Sequence, residues 1–280
     1  MASLIKNQII KKLSKFVKNL SANQINLSTI KGEGELSALN LDERALEDVT
    51  ELPIWLKIQK ATCGRAFIKI PWTNLKTLPI QLQLDDVTIE IETCENLRDI
   101  QNSSGGNDPL MGKYGFTNRA IDGISLTITN LTLVVKSKGF KASICLPTLD
   151  IYSTTPNGKR VDTLTFTRLR NAAKSYILLF KEISWPNARI EASSNDNNAP
   201  GTGIRFIINS CQMRISMKKN LRDSSMISAR VMLHFDDLLS VLNDAQLKSA
   251  LNTYKEIMGL MKRASEQQKR SSGDKLVVRI

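Results

Sequence analysis

The sequence contains one histidine, His234, in 280 residues, and only 5% of its residues are aromatic. Because imidazole is the commonest metal ligand and the usual acid–base group near neutral pH, a single histidine argues against most metal sites and enzymes. The four cysteines are scattered, without a C-x-x-C pair, which indicates reduced thiols in a cytosolic protein. No stretch approaches the ~18 uncharged apolar residues of a spanning helix. These absences predict a chain that is not an enzyme, holds no metal and does not cross a bilayer.

The short motifs that could carry chemistry are weak. Gly32 and Gly34 form a Gly-x-Gly that lacks both the third glycine of a dinucleotide site and the Gly-Lys-Ser/Thr of a P-loop, so they predict a turn. The acidic pairs Asp85-Asp86 and Asp236-Asp237 have no further ligands at metal spacing, which favours a strand junction and a helix cap. His234 lies in an apolar stretch and is predicted to be a packed, hydrogen-bonded ring.

The charge balance points to an acidic partner. Lysine and arginine number 39 against 27 acidic residues, a net charge of +12. The basic residues fall into three main clusters, Lys136/Lys138/Lys141, Lys159/Arg160/Arg168/Arg170 and Arg214/Lys218/Lys219/Arg222. Since no stacking aromatics alternate with them, we predict no nucleic-acid partner. Anionic lipid surfaces fit this charge at least as well.

Residues 3–20 predict an amphipathic helix that opens at Ser3. Ile5, Ile9, Leu13, Phe16 and Leu20 form one apolar stripe, and the segment also carries five lysines and no acid. Two interpretations stay open: the stripe docks as a structural cap, or the helix rests on anionic lipid. The residues predicted for a membrane surface or cap are Ile5, Ile9, Leu13, Phe16, Lys11, Lys12 and Lys15.

After residue 20 the pattern becomes that of strands. The predicted strands are 24–31, 34–41, 54–62, 65–71, 79–92, 123–136, 140–152, 161–168, 175–184, 187–193, 203–218 and 227–235. A helix is then predicted from Asp236 to about Arg263, with a break near Asn243-Asp244, and its Met and Leu stripe is interpreted as packing.

In four of the long strands the apolar residues change from odd to even positions, or the reverse, midway along the strand. In 79–92 the apolar residues alternate up to Leu84 and resume in the opposite parity at Val87. The same change occurs across Thr129-Asn130, Pro147-Thr148 and Asn209-Ser210. In a regular strand this change of parity would turn the apolar residues of one half to the other face of the sheet. A two-residue hairpin or a β-bulge can compensate for it. Since no junction contains Asn-Gly or Asp-Gly, we predict long, bulged and strongly curved strands.

Two stretches of the first 95 residues match a known family. The amphipathic start is followed by Lys31-Gly32-Glu33-Gly34-Glu35-Leu36, then by Leu39 and Leu41; further on comes Ile70-Pro71-Trp72-Thr73-Asn74-Leu75 with the strand from Pro79 to Ile91. These residues resemble the chorein N-terminal domain of the bridge-like lipid transfer, or repeating-β-groove, family. Looser matches at 114–116, 164–168, 183–185 and 236–239 resemble the family's third branch, whose members interact with a syntaxin Habc domain.

The resemblance implies an α+β, mainly β fold: a long, strongly curved antiparallel sheet forms a hydrophobic groove, with an N-terminal amphipathic helix as a cap and a C-terminal helix. It implies a non-enzymatic lipid transfer module that binds glycerophospholipid acyl chains and, as part of a longer protein, moves lipids between organelle membranes. Implied partners are phospholipids, organelle membranes and trafficking proteins such as syntaxins. The implied location is cytoplasmic, peripheral at endosome or other contact sites, and no cofactor is expected besides bound glycerophospholipid.

The alternation and the resemblance together predict which apolar residues face the groove. They are Ile80, Leu82, Leu84, Val87, Ile89, Ile91, Ile124, Leu126, Ile128, Leu131, Leu133, Val135, Phe206, Ile208, Met213, Ile215 and Met217. The predicted segments are 1–95 for the chorein motif, 96–263 for the rest of the groove with the C-terminal helix, and 264–280 for a linker or the start of a further segment. An alternative stays open: an adaptor or scaffold with a closed β core that docks a trafficking protein or an acidic membrane surface.

Overall fold

The computed structural model describes most of the chain between residues 14 and 266. The described residues are 14–18, 25–28, 32–50, 52–94, 114, 116–137, 140–194, 204–236, 238–240, 247–248, 251–252, 254–255 and 257–266. The predicted N-terminal helix therefore lies largely outside them, as do residues 267–280. Its predicted end is wrong, because Val17–Lys18 is a strand that pairs with Leu41 and Asn40.

The structure describes twelve strands and few helices. The strands are β1 (Val17–Lys18), β2 (Ile25–Ser28), β3 (Glu33–Leu41), β4 (Leu56–Lys69), β5 (Gln81–Thr93), β6 (Ser125–Lys136), β7 (Phe140–Ser153), β8 (Arg168–Asn171), β9 (Tyr176–Ser194), β10 (Ile204–Asn220), β11 (Met226–Phe235) and β12 (Leu238–Ser240). The helices are α1 (Glu43–Val49), α2 (Phe116–Asp122), a 3-10 turn at Leu164–Phe166 and a C-terminal helix that includes residues 257–266.

All twelve strands belong to one open sheet. The order is β1-β3-β4-β5-β6-β7-β9-β10-β11, with β2 beside β3, β8 beside β9 and β12 beside β10. The described sheet does not close on itself, so the long open sheet was predicted correctly. The closed β core of the adaptor alternative is not what forms.

The predicted antiparallel sheet contains one parallel pair. β5 and β6 run parallel, with Gln81 beside Ser125 and Glu92 beside Lys136. A parallel pair needs a long crossover, because the chain must return to the end at which the first strand began. The segment between Thr93 and Ser125 provides that crossover and carries α2.

Several strands are longer than predicted. The predicted pair 54–62 and 65–71 forms the single strand β4, and 175–184 with 187–193 forms β9. The strand predicted at 161–168 is wrong, since this segment contains the 3-10 turn instead. The C-terminal helix was predicted to begin too early, because β12 still pairs with β10 through Phe206 and Ser240.

The exposure of side chains corrects two further predictions. β11 has one described neighbour over most of its length, and all ten of its residues are exposed. His234 is therefore an exposed strand residue opposite Gln212 and not a packed ring. In the C-terminal helix, the stripe predicted to pack is exposed at Leu247, Leu251, Tyr254, Met258 and Met261, whereas Leu260 and Ala264 are buried.

Candidate functional site

One face of the sheet carries the apolar residues of the long strands, and we call it the apolar face. Residues opposite each other on neighbouring strands share a face, and successive residues alternate between faces. Ala61, Ile89 and Leu133 form one cross-strand row on β4, β5 and β6. The next row, on the other face, is Thr62, Thr88 and Thr132. The largest core cluster lies on the apolar face, with buried members Leu39, Leu41, Ile58, Ala61, Cys63, Ala66, Val87, Ile128, Leu131, Leu146 and Ala188.

Around this cluster lies a set of apolar side chains that keep part of their surface exposed. We call them the open stretch: Leu84, Ile89, Ile91, Leu126, Leu133, Ile144, Leu149 and Trp185. They come from β5, β6, β7 and β9, which are neighbours in the sheet. The open stretch therefore presents a continuous, partly exposed apolar surface.

The predicted changes of parity lie inside continuous strands. On six strands, two members of the same apolar cluster are three residues apart, a spacing that puts them on opposite faces of a regular strand. These pairs are Leu36/Leu39, Cys63/Ala66, Leu84/Val87, Ile128/Leu131, Leu146/Leu149 and Trp185/Ala188. The prediction of long strands instead of hairpins is confirmed for β5, β6, β7 and β10.

The change of parity is not compensated by a bulge, in which one strand would have an extra residue relative to its neighbour. On both sides of the junction the register of β4 and β5 is the same, with Cys63 opposite Val87 and Arg65 opposite Asp85. No strand gains a residue over its neighbour there. Seven strands instead have an unpaired residue at nearly the same level, with a step of one residue between β7 and β9. We call this set the transverse row: Ala38, Gly64, Asp86, Asn130, Pro147, Pro186 and Ser210.

Local chemistry explains three positions of the transverse row. Ala38, Asp86 and Asn130 have left-handed backbones with φ of 51°, 56° and 57°. Asn and Asp tolerate this conformation better than other L-residues, and here the Asn130 amide donates to the Asp86 carboxylate at 3.0 Å. Gly64 leaves room for close approach, since a Cβ there would lie 3.2 Å from that of Asp86. Asp85-Asp86 thus forms the strand junction that was predicted.

The residues predicted to face the groove fall into four groups. Members of the main cluster or its partly buried border are Leu84, Val87, Ile89, Ile91, Leu126, Ile128, Leu131 and Leu133. Leu82, Val135, Met213 and Ile215 are partly buried strand residues. Ile80, Ile124 and Met217 belong to two smaller clusters at one end of the sheet. The side chains of Phe206 and Ile208 lie outside the described residues. Contact of any of these residues with lipid stays a prediction.

The two smaller clusters form what we call the covered end. Here the turn between β4 and β5 and helix α2 pack together, with Ile70, Leu75, Ile80 and Ala120 buried. Ile80 is only 1% exposed. Beside them, Tyr114 packs on Ile177 and Leu179, with Met217 and Leu221 at the border. The apolar face is therefore closed where β5 and β6 begin.

The covered end also contains a cluster of basic side chains. The Lys219 ammonium donates to Asp122 at 2.7 Å, and the Tyr114 hydroxyl donates to the other oxygen of that carboxylate at 2.8 Å. The Lys181 ammonium donates to the carbonyl of Ile124 at 2.9 Å, and Arg168 donates to the carbonyl of Arg119 at 2.5 Å. Two of the sheet's lysines and one of its arginines thus gather beside α2.

Burial dominates the titration of this cluster. It lowers the pKa of Lys181 to about 8, although Asp122 acts in the opposite direction. Burial also lowers the pKa of Arg168 and, together with Asp122, raises the pKa of Tyr114. Asp122 is the single acidic side chain that acts on both Lys181 and Arg168 within the described part of the chain.

The sequence carries a signal for this cluster: a lysine at an apolar position in each of two neighbouring strands. Along β9 the apolar positions are Ile177, Leu179 and Ile183, and Lys181 stands where an apolar residue is expected. Along β10, Lys219 follows Met217 at the same parity. A lysine at an apolar position of two neighbouring strands indicates a charge placed on the apolar face. Helix α2 was missed because no element was predicted between the strands 79–92 and 123–136.

The opposite face is polar and hydrogen-bonded. The Thr127 hydroxyl donates to Asp150 at 2.7 Å, and Arg65 bonds the Asp85 carboxylate at 2.6 Å. Near the covered end the buried Glu182 accepts from the Tyr152 hydroxyl at 2.6 Å and from Arg214 at 2.9 Å. Polar side chains of neighbouring strands are thus paired with one another on this face.

A cavity of about 520 Å³ opens on this polar face near the ends of β4 and β5. Its lining includes Phe67, Lys69, Gln81, Gln83, Tyr152 and Arg160. Leu82 is the single predicted groove residue that borders the cavity. The cavity is therefore distinct from the open stretch.

The basic clusters of the sequence do not form one surface. Lys136 pairs with Glu90 at 2.5 Å, Arg214 with Glu182 and Lys219 with Asp122. Lys219 lies on the apolar face, opposite Ile177, whereas Arg214 and Lys218 lie on the other face. The charge is thus divided between two faces and partly neutralised.

Membrane spans, metal-binding clusters and disulfides are the remaining features that bear on function in the described residues. Among them, no helix combines the length and apolar character needed to span a membrane. No three His, Cys, Asp or Glu side chains of this part come close enough to hold a metal ion. The four cysteines, Cys63, Cys94, Cys145 and Cys211, are free thiols.

Comparison with known proteins was made for the whole chain. The family model described as "Bridge-like lipid transfer protein family member 3A/B" matches residues 1–277. The chain is 42% identical over 277 residues to bridge-like lipid transfer protein family member 3B of Xenopus laevis, covering 96% of this chain and 19% of that protein. It is 41% identical over 277 residues to member 3A of Homo sapiens, with the same coverage.

A more distant similarity covers about a third of the chain. The intermembrane lipid transfer protein vps13B of Dictyostelium discoideum is 34% identical over 87 residues, which are 31% of this chain and 1% of that protein. The chain spans about a fifth of the length of the relatives that it matches almost throughout.

Proposed function

The chain belongs to the bridge-like lipid transfer protein family of members 3A/B, and we propose that it binds glycerophospholipid acyl chains on its apolar face as part of a protein that moves lipid between membranes. One observation carries the proposal. The open stretch is an apolar surface that the described chain leaves partly exposed across four neighbouring strands.

The physical basis is exchange between two apolar media. Leaving water for an apolar environment is worth about 0.8 kcal/mol for each CH₂ group. An acyl chain that moves from a bilayer to the open stretch stays out of water, so extraction costs far less than transfer into solvent. Because the open stretch consists of Ile and Leu side chains apart from Trp185, it offers few fixed polar partners, and an acyl chain can slide along it. The role is binding and transfer, without a catalytic step.

The finer parts of the proposal come from the family resemblance. They are transport between organelle membranes, peripheral association with endosomes or other contact sites, and binding of syntaxins. No contact in the structure carries them. Recruitment of the chain to purified endosomes, with and without a syntaxin Habc domain, tests them separately from lipid binding.

The first test is mass spectrometry of lipid that co-purifies with the 280-residue chain. We expect glycerophospholipid in stoichiometric amounts. Purified, folded protein without phospholipid, and unable to take it up from vesicles, contradicts the proposal.

The second test places a charge on the open stretch. Ile89→Asp with Leu133→Asp puts two carboxylates in neighbouring positions of one apolar row. This double variant should abolish lipid loading, because an acyl chain that covers the row would bury two unpaired charges at a high cost in free energy. The matched control is Thr88→Asp with Thr132→Asp, which adds the same charges one residue away on the other face. Circular dichroism checks that both variants are folded. Equal loading of the two double variants would refute an apolar binding face.

A further inference from the structure

The row of residues at the border of the covered end contains a charge. On β9 and β10 the apolar row Ile183 and Met213 is followed, two residues along, by Lys181 and Ile215. The row that contains Ile183 continues through Ile151 on β7 to Leu126 on β6, which belongs to the open stretch. Two residues of strand correspond to about 7 Å, so the Lys181 backbone lies one such step from the open apolar surface. Lys181 is partly exposed and lies on the same face as that surface, opposite Ile215.

The positive charge around this point exceeds the negative charge. Arg168, Lys181 and Lys219 come from three neighbouring strands, and Arg119 adds a fourth cation from α2. Asp122 is the one carboxylate that acts on this group in the described chain, and it already accepts from Lys219 and Tyr114. Lys181 has a carbonyl partner but no carboxylate within ion-pair distance among the described residues. A buried cation without a counter-ion is costly, and such groups mark candidate functional sites.

An anion bound here would restore the balance. Phosphate oxygens accept several charge-assisted hydrogen bonds, and a desolvated site strengthens each of them. The lowered pKa of Lys181, about 8, leaves its ammonium mostly protonated at pH 7. An anion would raise that pKa back towards its ordinary value.

We propose that Arg168, Lys181 and Lys219 bind the phosphate group of a glycerophospholipid whose acyl chains lie on the adjacent open stretch. This inference rests on the proposed function and adds to it the residues that hold the headgroup phosphate, which would make loading selective for lipids that carry one. The shared chemistry is the anionic phosphate group, and free inorganic phosphate is the other source that could occupy the site.

A second polar group on the same face fits this arrangement. The indole N–H of Trp185 is buried and has no hydrogen-bond partner in the described structure. Trp185 lies on β9 four residues from Lys181, on the same face and within the open stretch. A buried donor without an acceptor is rare in folded proteins, and an ester carbonyl of a bound lipid would supply one.

The experiment compares two lipids with the same acyl chains. The chain is loaded from vesicles that contain phosphatidic acid and diacylglycerol in equal amounts, and bound lipid is quantified by mass spectrometry. We expect roughly tenfold more phosphatidic acid, as one hydrogen bond to a charged group would give. Equal loading of both lipids overturns the phosphate site but leaves the proposed function standing. Loading of neither lipid overturns both.

Variants assign the preference to these residues. Lys181→Met should bring the two lipids to nearly equal loading, whereas Lys181→Arg should keep the preference. The matched control is Lys218→Met, which removes the same charge from β10 but on the opposite face, where Lys218 lies over the Tyr176 ring. If Lys181→Met does not fold, the comparison of Lys218→Met with Lys219→Met decides. Preference unchanged in Lys181→Met, or lost equally in Lys218→Met, overturns the assignment.

Inorganic phosphate separates the two sources of anion. At 10 to 100 times the lipid concentration it should reduce phosphatidic acid loading only weakly, because free phosphate lacks the acyl chains that lie on the open stretch. Complete displacement by inorganic phosphate, with diacylglycerol loading unaffected, would show that the cluster binds free phosphate and would overturn the lipid assignment.

Discussion

The covered end and the open stretch are built from the same kinds of residue but are packed differently. Both consist mainly of Ile and Leu side chains that lie on, or pack against, the apolar face. At the covered end the turn between β4 and β5 and helix α2 bury Ile80 and its neighbours. Along the open stretch, Ile89 and Leu133 keep part of their surface exposed. Apolar sequence alone therefore does not distinguish a residue that stabilises the fold from one available to a ligand; the segment lying over it does.

The largest expected difference between the two regions is in the cost of removing an apolar side chain. Ile80→Ala should lower the free energy of unfolding by about 3 kcal/mol, because it leaves a cavity under the turn. Ile91→Ala, in the open stretch on β5, should cost about 1 kcal/mol or less, since only part of that side chain is buried. Urea denaturation measures both values. Equal losses would mean that the open stretch is as well covered as the other end.

The second difference concerns carboxylates. The Glu182 side chain is 5% exposed and binds Tyr152 and Arg214 near the covered end. The Glu90 side chain is 31% exposed and binds Lys136. Glu182→Gln should cost about 2 kcal/mol, because its amide would face the Arg214 donor in a buried site. Glu90→Gln should leave the unfolding midpoint unchanged, since water replaces its partner. A measurable loss for Glu90→Gln, or none for Glu182→Gln, would remove this contrast.

The smallest expected effect tests the backbone at the transverse row. Ala38 has a left-handed backbone that glycine adopts without the steric cost of a Cβ. Ala38→Gly should therefore raise the free energy of unfolding by about 0.5 kcal/mol, even though glycine normally weakens a strand. Ser37→Gly, one residue earlier in the same strand, is the matched control and should lower it by a similar amount. Loss of stability in both variants would mean that the left-handed backbone at Ala38 carries no strain.

Much of the fold could be predicted because it rests on local alternation. The period-two pattern located β3, β5, β6, β7, β10 and β11 to within a few residues. The opposite parity of Leu84 and Val87 predicted an irregularity inside a strand, and the structure places Asp86 there. The parallel pair could not be predicted in this way, since the return of the chain from Thr93 to Ser125 leaves no mark on either strand.

The missing parts of the candidate site depend on contacts far apart in sequence. Asp122 meets Lys219, 97 residues later, and Asn118 donates to Ser224 across 106 residues. No spacing motif brings such residues together. The position of Lys181 among apolar residues was the available signal, and it shows where a charge lies but not which groups surround it. The division between open and covered apolar residues likewise required the placement of α2.

The transverse row constrains how this sequence can change by insertion and deletion. Deleting Asp86 would leave one half of β5 paired as before and shift the other half by one residue against both of its neighbours. Every side chain of the shifted half would then turn to the opposite face, so Ile89 and Ile91 would exchange places with charged residues. A substitution alters one contact, whereas a single codon lost from this row would invert half a strand. We therefore expect length changes within the sheet to be tolerated in its loops and rejected in the seven strands that the row crosses.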